Sequence, residues 1–263
     1  DLDHTVINSD GTMSDATRTV IEQAIAEGIE IVPVSGRAFA TFPESIGQIK
    51  GISYAVTSNG AAIYNKKTGE RIHGVAIEYA DLHSILDAFA HYFHNGQITY
   101  EAFVDGVAYG GREYVEHPET FGVPERNVAY VQSTRKPVDD IIAFLSEHEE
   151  ELDSLDIVAA DTALYQKIEE QIPLVTKSVY TTSAVSYRLE ISHKNSGKAT
   201  GLAYVLKLLD ITPEETVAFG DGDNDAEMLE FAGLGVAMEN ATENCKAAAD
   251  IVCDCCKNDG VAR

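Results

Sequence analysis

The residues whose types and spacing could do chemistry sit near the two ends of the chain. Asp1 and Asp3 open it, in Asp1-Leu2-Asp3-His4-Thr5-Val6, and three more carboxylates crowd into Gly220-Asp221-Gly222-Asp223-Asn224-Asp225. Carboxylates gathered at one edge repel one another unless a hard divalent cation neutralises them, and Mg²⁺ takes carboxylate oxygens together with substrate phosphate. One such carboxylate can attack phosphorus as a nucleophile. A second, two residues on, can protonate the leaving group and then deprotonate water. Ser35-Gly36 offers a hydroxyl and a loop N–H to phosphate oxygens. Lys198 lies in the first turn of an expected helix, where backbone N–H groups also face an anion. Taken singly these residues have plainer readings. Asp1 and Asp3 suit a turn or a cap, and Lys198 suits a solvated helix face. Asp221, Asp223 and Asp225 also resemble a calcium loop, but Ala232 stands where that loop needs its bidentate Glu.

The elements that would position these groups read as α/β. Ser14 is a plausible N-cap for a helix ending near Gly28. Ile29 to Val34 and Ile52 to Thr57 are short apolar runs fit for buried parallel strands, ending at Ser35-Gly36-Arg37 and Ser58-Asn59-Gly60. Ser196 is a candidate cap for a helix with Leu202, Val205, Leu206 and Leu209 on one face. Strands at 216–219, 234–238 and 251–252 alternate with helices at 224–231 and 241–249. In open parallel sheets ligands bind beyond the carboxyl ends of the strands, and the polar clusters fall there. The rhythm changes between about 80 and 187. An amphipathic helix over 81–93, a hairpin turning at Asp105-Gly106, helical patterns near 137–150 and 162–171, and a β-rich run over 174–192 mark an α+β insertion. The expected division is a core of residues 1–79 and 188–263 around an inserted unit of residues 80–187.

Composition limits the partners. The formal net charge is −24, from 43 acidic and 19 basic residues. Nucleic acid and anionic membranes reward basic patches, so neither is an expected partner. An anionic substrate needs local cations against that field, which gives Lys198 its weight. No apolar run approaches 18 residues and no signal peptide is visible, so a cytoplasmic location is expected. Cys253, Cys255 and Cys256 could hold a soft metal, but no second pair stands at zinc-like spacing, and reduced thiols are the plainer reading. The chain opens inside a motif and ends just after a loop, so a strand before Asp1 and a helix after Arg263 are expected. Oligomeric state is not legible.

The motifs together resemble the haloacid dehalogenase (HAD) superfamily, in its Cof-type sugar-phosphatase branch. DLDHTV is similar to the first signature and VPVSGR to the second. Lys198 in HKNSGKATGL matches the third, and GDGDNDAEML the fourth. Ser58-Asn59-Gly60-Ala61 and the late Asn258-Asp259-Gly260-Val261-Ala262 resemble marks of that branch. The resemblance implies a Rossmann-like core with a parallel sheet, carrying an α+β cap that selects the substrate. It implies a Mg²⁺-dependent phosphatase acting on small phosphorylated metabolites, with sugar phosphates foremost. By it, Asp1 is nucleophile and metal ligand. Asp3 is general acid/base and lends a carbonyl to the metal, and Asp221 is the third ligand. Ser35, Gly36, the Leu2 backbone, Lys198 and Asn224 hold phosphate, and Asp225 orients the metal shell or Lys198. His4 stands where Gly is common in the family. Arg37 either takes part in catalysis or braces its loop by a salt bridge, and Asn59 either touches substrate or caps a strand end. A phosphomutase or phosphotransferase using the same nucleophile, and a non-catalytic binding protein, remain as rival readings.

Overall fold

Ser14 starts the first helix, Asp15–Ala26: its hydroxyl accepts from the Thr17 N–H at 3.0 Å. Ile21 and Ile25 on that helix pack toward Leu2, Ile7, Ile46, Ile49 and Ile52. The run from Ile29 to Val34, expected as a strand, forms a single parallel bridge, Val34 to Val56. Its bonds are Ser35 N–H to Val56 O (3.0 Å) and Val56 N–H to Pro33 O (2.9 Å). Pro33 has no N–H to give to a longer ladder. Beside it, Tyr54–Thr57 continues into an antiparallel meander, Ala62–Asn65 and Arg71–Gly74.

The computed structural model describes residues 1–183 and 185–263. It divides into Asp1–Gly74 with Gly197–Arg263, and Val75–Ser196. In the first unit Val217–Gly220, Leu234–Met238 and Ile251–Cys253 pair in parallel, with helices Ala226–Phe231 and Glu243–Ala248 between them. The fold is α/β. The change of rhythm in the sequence predicts junctions at 79/80 and 187/188. They fall earlier and later because Ile77 N–H bonds Leu152 O (2.9 Å) and Arg188–His193 pairs with both Leu152–Ala159 and Val179–Val185.

The second unit is a six-stranded sheet in the order 135–138, 107–111, 98–104, 152–159, 188–193, 179–185. All neighbours are antiparallel except 107–111 with 135–138. Helices Tyr79–His94, Ile141–Glu147 and Thr162–Val175 cover the face that carries Tyr100, Ala102 and Val104. Glu101 points the other way, fully buried, with Arg135 gripping both of its oxygens (2.8 and 2.9 Å). Strand 152–159 escaped the sequence reading because Asp153, Ser154 and Asp156 are buried polar residues in what otherwise would read as an apolar run.

Helix Lys198–Leu209 is capped by Gly197 at φ +132°, not by Ser196. The Ser196 hydroxyl is occupied with Ser192 Oγ (2.6 Å) and His193 O (2.5 Å). The helix lies against strand Tyr54–Thr57 and the turn after it with no room for a methyl group. A Cβ on Gly201 would meet Val56 Cγ1 at 2.4 Å and Gly60 Cα at 2.9 Å. A Cβ on Gly60 would meet the Gly197 carbonyl at 2.0 Å. Gly→Ala inside a helix ordinarily stabilises by about 1 kcal/mol. Here the clash reverses the sign: Gly201→Ala should lower the free energy of unfolding by about 2 kcal/mol in urea titration, and an unchanged or higher midpoint would refute the close approach.

Candidate active site

Three segments of the first unit meet at the carboxyl ends of its strands. After Asp1, whose backbone nitrogen donates to Phe219 O (2.8 Å), the chain turns sharply. The Leu2 carbonyl accepts from the N–H groups of Thr5, Val6 and Ile7 (2.8 to 3.3 Å), with the Leu2 side chain buried. His4 takes φ +58° in this turn, the left-handed region that glycine enters without strain. A glycine here would relieve that strain. After strand Val217–Gly220, residues 223–225 form one tight turn leading into helix Ala226–Phe231.

Lys198 binds these segments together. Its Nζ donates to Asp1 Oδ1 and to Asp225 Oδ1, both at 2.7 Å, with the lysine only 3% exposed. The other oxygen of Asp225 accepts from the N–H groups of Asp221 and Gly222, each at 3.0 Å. Burial works to raise the Asp225 carboxyl, but Lys198 and these bonds outweigh it and hold it below the usual range. Thr5 Oγ1 donates to Asp1 Oδ2 at 3.0 Å and approaches Asp221 Oδ1 at 3.4 Å. The Lys198 ammonium is bonded to Asp1 and Asp225 and acts on the Asp221 carboxyl only from a distance. Burial first, and then the charge of Asp225, push that carboxyl up to about 6.

Ligand atoms of Asp1, Asp221 and Asp225 lie within 4.8 Å of one another, the one such group among the described residues. Both Asp225 oxygens and both Asp1 oxygens have donors at 2.7 to 3.0 Å, whereas the side-chain donors nearest the Asp221 oxygens, Thr5 Oγ1 and Asn240 Nδ2, stand at 3.4 Å. The carboxylates are hard oxygen donors at a site that accumulates negative charge, which suits Mg²⁺. The Asp3 carboxylate is not in that group. It is gripped by Arg37, with Nε to Oδ2 at 2.8 Å and an Nη to Oδ1 at 2.7 Å. Burial would raise the Asp3 carboxyl, but Arg37 prevails and lowers it.

Ser35 is buried and its hydroxyl accepts from the Arg37 N–H at 3.2 Å, which leaves the hydroxyl hydrogen available to a ligand. Gly36 lies between those two residues. Asn59, at φ +51°, ties the loops together. Its N–H donates to Ser35 O (3.1 Å), its carbonyl accepts from Gly197 N–H (2.8 Å) and its Oδ1 accepts from Asn224 Nδ2 (3.0 Å). The structure therefore brings Asp1, Asp221, Asp225 and Lys198 into direct contact, joins Ser35 and Asn224 through Asn59, and sets Asp3 beside Arg37.

Sequence reasoning missed three polar partners. Thr5 lay inside a motif and was given no role. Asn240 donates to His4 O (2.9 Å) and approaches Asp221 Oδ2 (3.4 Å), while Thr242 N–H donates to Asp221 O (2.9 Å). Both follow strand Leu234–Met238, so the strand-end rule could have found them. The four cysteines are free thiols, and none belongs to the carboxylate group.

Known proteins resemble this chain along most or all of its length. Phosphatase YwpJ of Bacillus subtilis (strain 168) is 31% identical, over 96% of this chain and 92% of its own. The 5-amino-6-(5-phospho-D-ribitylamino)uracil phosphatase YcsE of the same organism is 27% identical, over 100% of this chain and 91% of its own. A solved haloacid dehalogenase-like hydrolase from B. subtilis superimposes with a TM-score of 0.81 at 27% identity, covering 99% of this chain and 95% of that one. The sequence model of the family described as haloacid dehalogenase-like hydrolase matches residues 1–263. With its acidic strand ends, its buried lysine and this match from end to end, the chain belongs to the haloacid dehalogenase-like hydrolase family.

Proposed function

We propose that this enzyme is a Mg²⁺-dependent phosphatase that passes the phosphoryl group of a small metabolite to Asp1 and then to water. The observation that carries this reading is the Asp1 carboxylate fixed between Lys198 Nζ and Thr5 Oγ1, beside Asp221. An attacking oxygen held in place has little orientational entropy left to lose. In the first half of the reaction an Asp1 oxygen attacks phosphorus, the ester P–O bond breaks, and the Asp3 proton goes to the departing oxygen. In the second half Asp3 takes a proton from water as that water attacks phosphorus, and the Asp1–phosphorus bond breaks. Lys198, the Ser35 hydroxyl, the Gly36 and Leu2 N–H groups and Asn224 would hold phosphoryl oxygens. Asp225 holds Lys198 and the 221–222 loop in register. Mg²⁺ would be held by the Asp1 and Asp221 carboxylates and the Asp3 carbonyl. It would draw charge from the phosphoryl oxygens and relieve the repulsion among the carboxylates. Positioning and electrostatics supply most of the rate in loose phosphoryl transfer, which suits a site built from fixed charges.

The substrate class rests on likeness. One relative is named for a phosphorylated ribityl compound, which supports sugar or sugar-alcohol phosphates here, with the Val75–Ser196 unit selecting the organic part.

Phosphate release from a panel of sugar phosphates, with and without Mg²⁺, tests the reaction. Release should require Mg²⁺, and Asp1→Asn should bring it to background while the circular dichroism spectrum is unchanged. Full activity in Asp1→Asn would remove Asp1 as nucleophile, and an isomerised sugar phosphate in place of free phosphate would make the enzyme a mutase. The Asp221 carboxyl gives a second expectation. Its value near 6 means that a proton and the metal compete for it in the acid range. Mg²⁺ affinity, measured by calorimetry, should therefore be about tenfold weaker at pH 5 than at pH 7. A pH-independent affinity would count against Asp221 as ligand.

A further inference from the structure

Arg37 has more contacts than loop bracing requires. Its guanidinium bonds both Asp3 oxygens through Nε and an Nη (2.8 and 2.7 Å), its remaining Nη donates to Thr41 O (2.9 Å), and its backbone N–H reaches Ser35 Oγ (3.2 Å). Its carbonyl accepts from Ser58 N–H at 3.0 Å. The Asp3 side chain is 43% exposed, so the ion pair adds little stability. It does fix geometry. A planar fork on a carboxylate sets the rotation of that carboxylate, which a single ammonium cannot do. A short side chain with this much solvent around it would otherwise occupy several rotamers.

We propose that Arg37 is the positioning residue for Asp3: it aims the Asp3 carboxyl for proton transfer to the leaving oxygen and carries the charge left on Asp3 once that proton is gone. The inference rests on the phosphatase reading above. In the first half-reaction an Asp1 oxygen bonds to phosphorus, the ester bond breaks toward oxygen, and the Asp3 O–H proton ends on the released alcohol. Asp3 is then a carboxylate, the form that a guanidinium fork binds. Arg37 keeps it aimed until water returns the proton.

The test separates proton delivery from general folding. Benzyl phosphate and p-nitrophenyl phosphate are similar in shape, but only the benzyl alkoxide needs a proton to leave. Their kcat/KM values report the steps up to alcohol release and omit the later water step. Arg37→Gln should lower kcat/KM about 100-fold for benzyl phosphate and less than about fivefold for p-nitrophenyl phosphate. Arg37→Lys, which keeps the charge without the fork, should fall between wild type and Arg37→Gln on the benzyl ester. Asp3→Asn should show the same split, and adding Arg37→Gln to it should cost less than about twofold more. Melting temperatures read alongside identify any variant that has lost its fold, and Arg37→Lys then carries the comparison. Equal losses on the two esters, or additive losses in the double variant, would overturn the role of Arg37 while the phosphatase reading stands. Wild-type protein inert on both esters and on the sugar phosphate panel would overturn both.

Discussion

The site depends on one electrostatic constraint: several carboxylates must share a small, partly buried space. Ligand atoms of Asp1, Asp221 and Asp225 lie within 4.8 Å of one another. Charges that close repel by roughly 3 kcal/mol per pair at an effective dielectric constant near 20. Lys198 offsets part of this with a single ammonium bonded to two of the three. Asp221 lies outside that pairing, and its carboxyl is pushed up to about 6. The imbalance gives the site its polarity, with a fixed cation on one side and, on the other, a carboxylate that only long contacts from Thr5 and Asn240 reach. In the proposed reaction a divalent cation would take that second side.

The packing of the first unit exists in large part to bring Lys198 there. Its helix begins at a glycine whose φ of +132° few other residues tolerate, and the next turn rests on Val56 and Gly60 without an intervening methyl. Asn59 and Asp225 then fix the two loops that flank the ammonium. An exposed lysine loses much side-chain entropy when it is pinned. Burial of Lys198 and its bonds to Asp1 and Asp225 impose that order as part of folding, before any ligand arrives.

Much of this was legible from the sequence for a simple reason. Carboxylates, glycines and a lysine at strand and helix ends have few plain explanations when they occur together. Asp1, Asp221, Asp225 and Lys198 were named from motif and position, and they are in contact. Hidden features were of two kinds. Some depend on bonds between distant segments, such as Arg37 to Asp3 and Asn224 to Asn59, which no local pattern reports. Others involve local rivals that the pattern left unresolved. Ser196 looks like a cap, yet its hydroxyl goes to His193 and Ser192, and Gly197 takes the position. The run 29–34 has the apolar character of a strand, but only Val34 forms a bridge.

The central claim is that Asp1 accepts the phosphoryl group. Beryllium trifluoride mimics that group on a carboxylate. A crystal structure of the protein with Mg²⁺ and beryllium trifluoride tests the claim most directly. Beryllium should be bonded to an Asp1 carboxylate oxygen, with Lys198 Nζ on one fluorine and the Ser35 hydroxyl on another. Beryllium bonded to Asp3 or Asp221, with Asp1 left free, would contradict the claim.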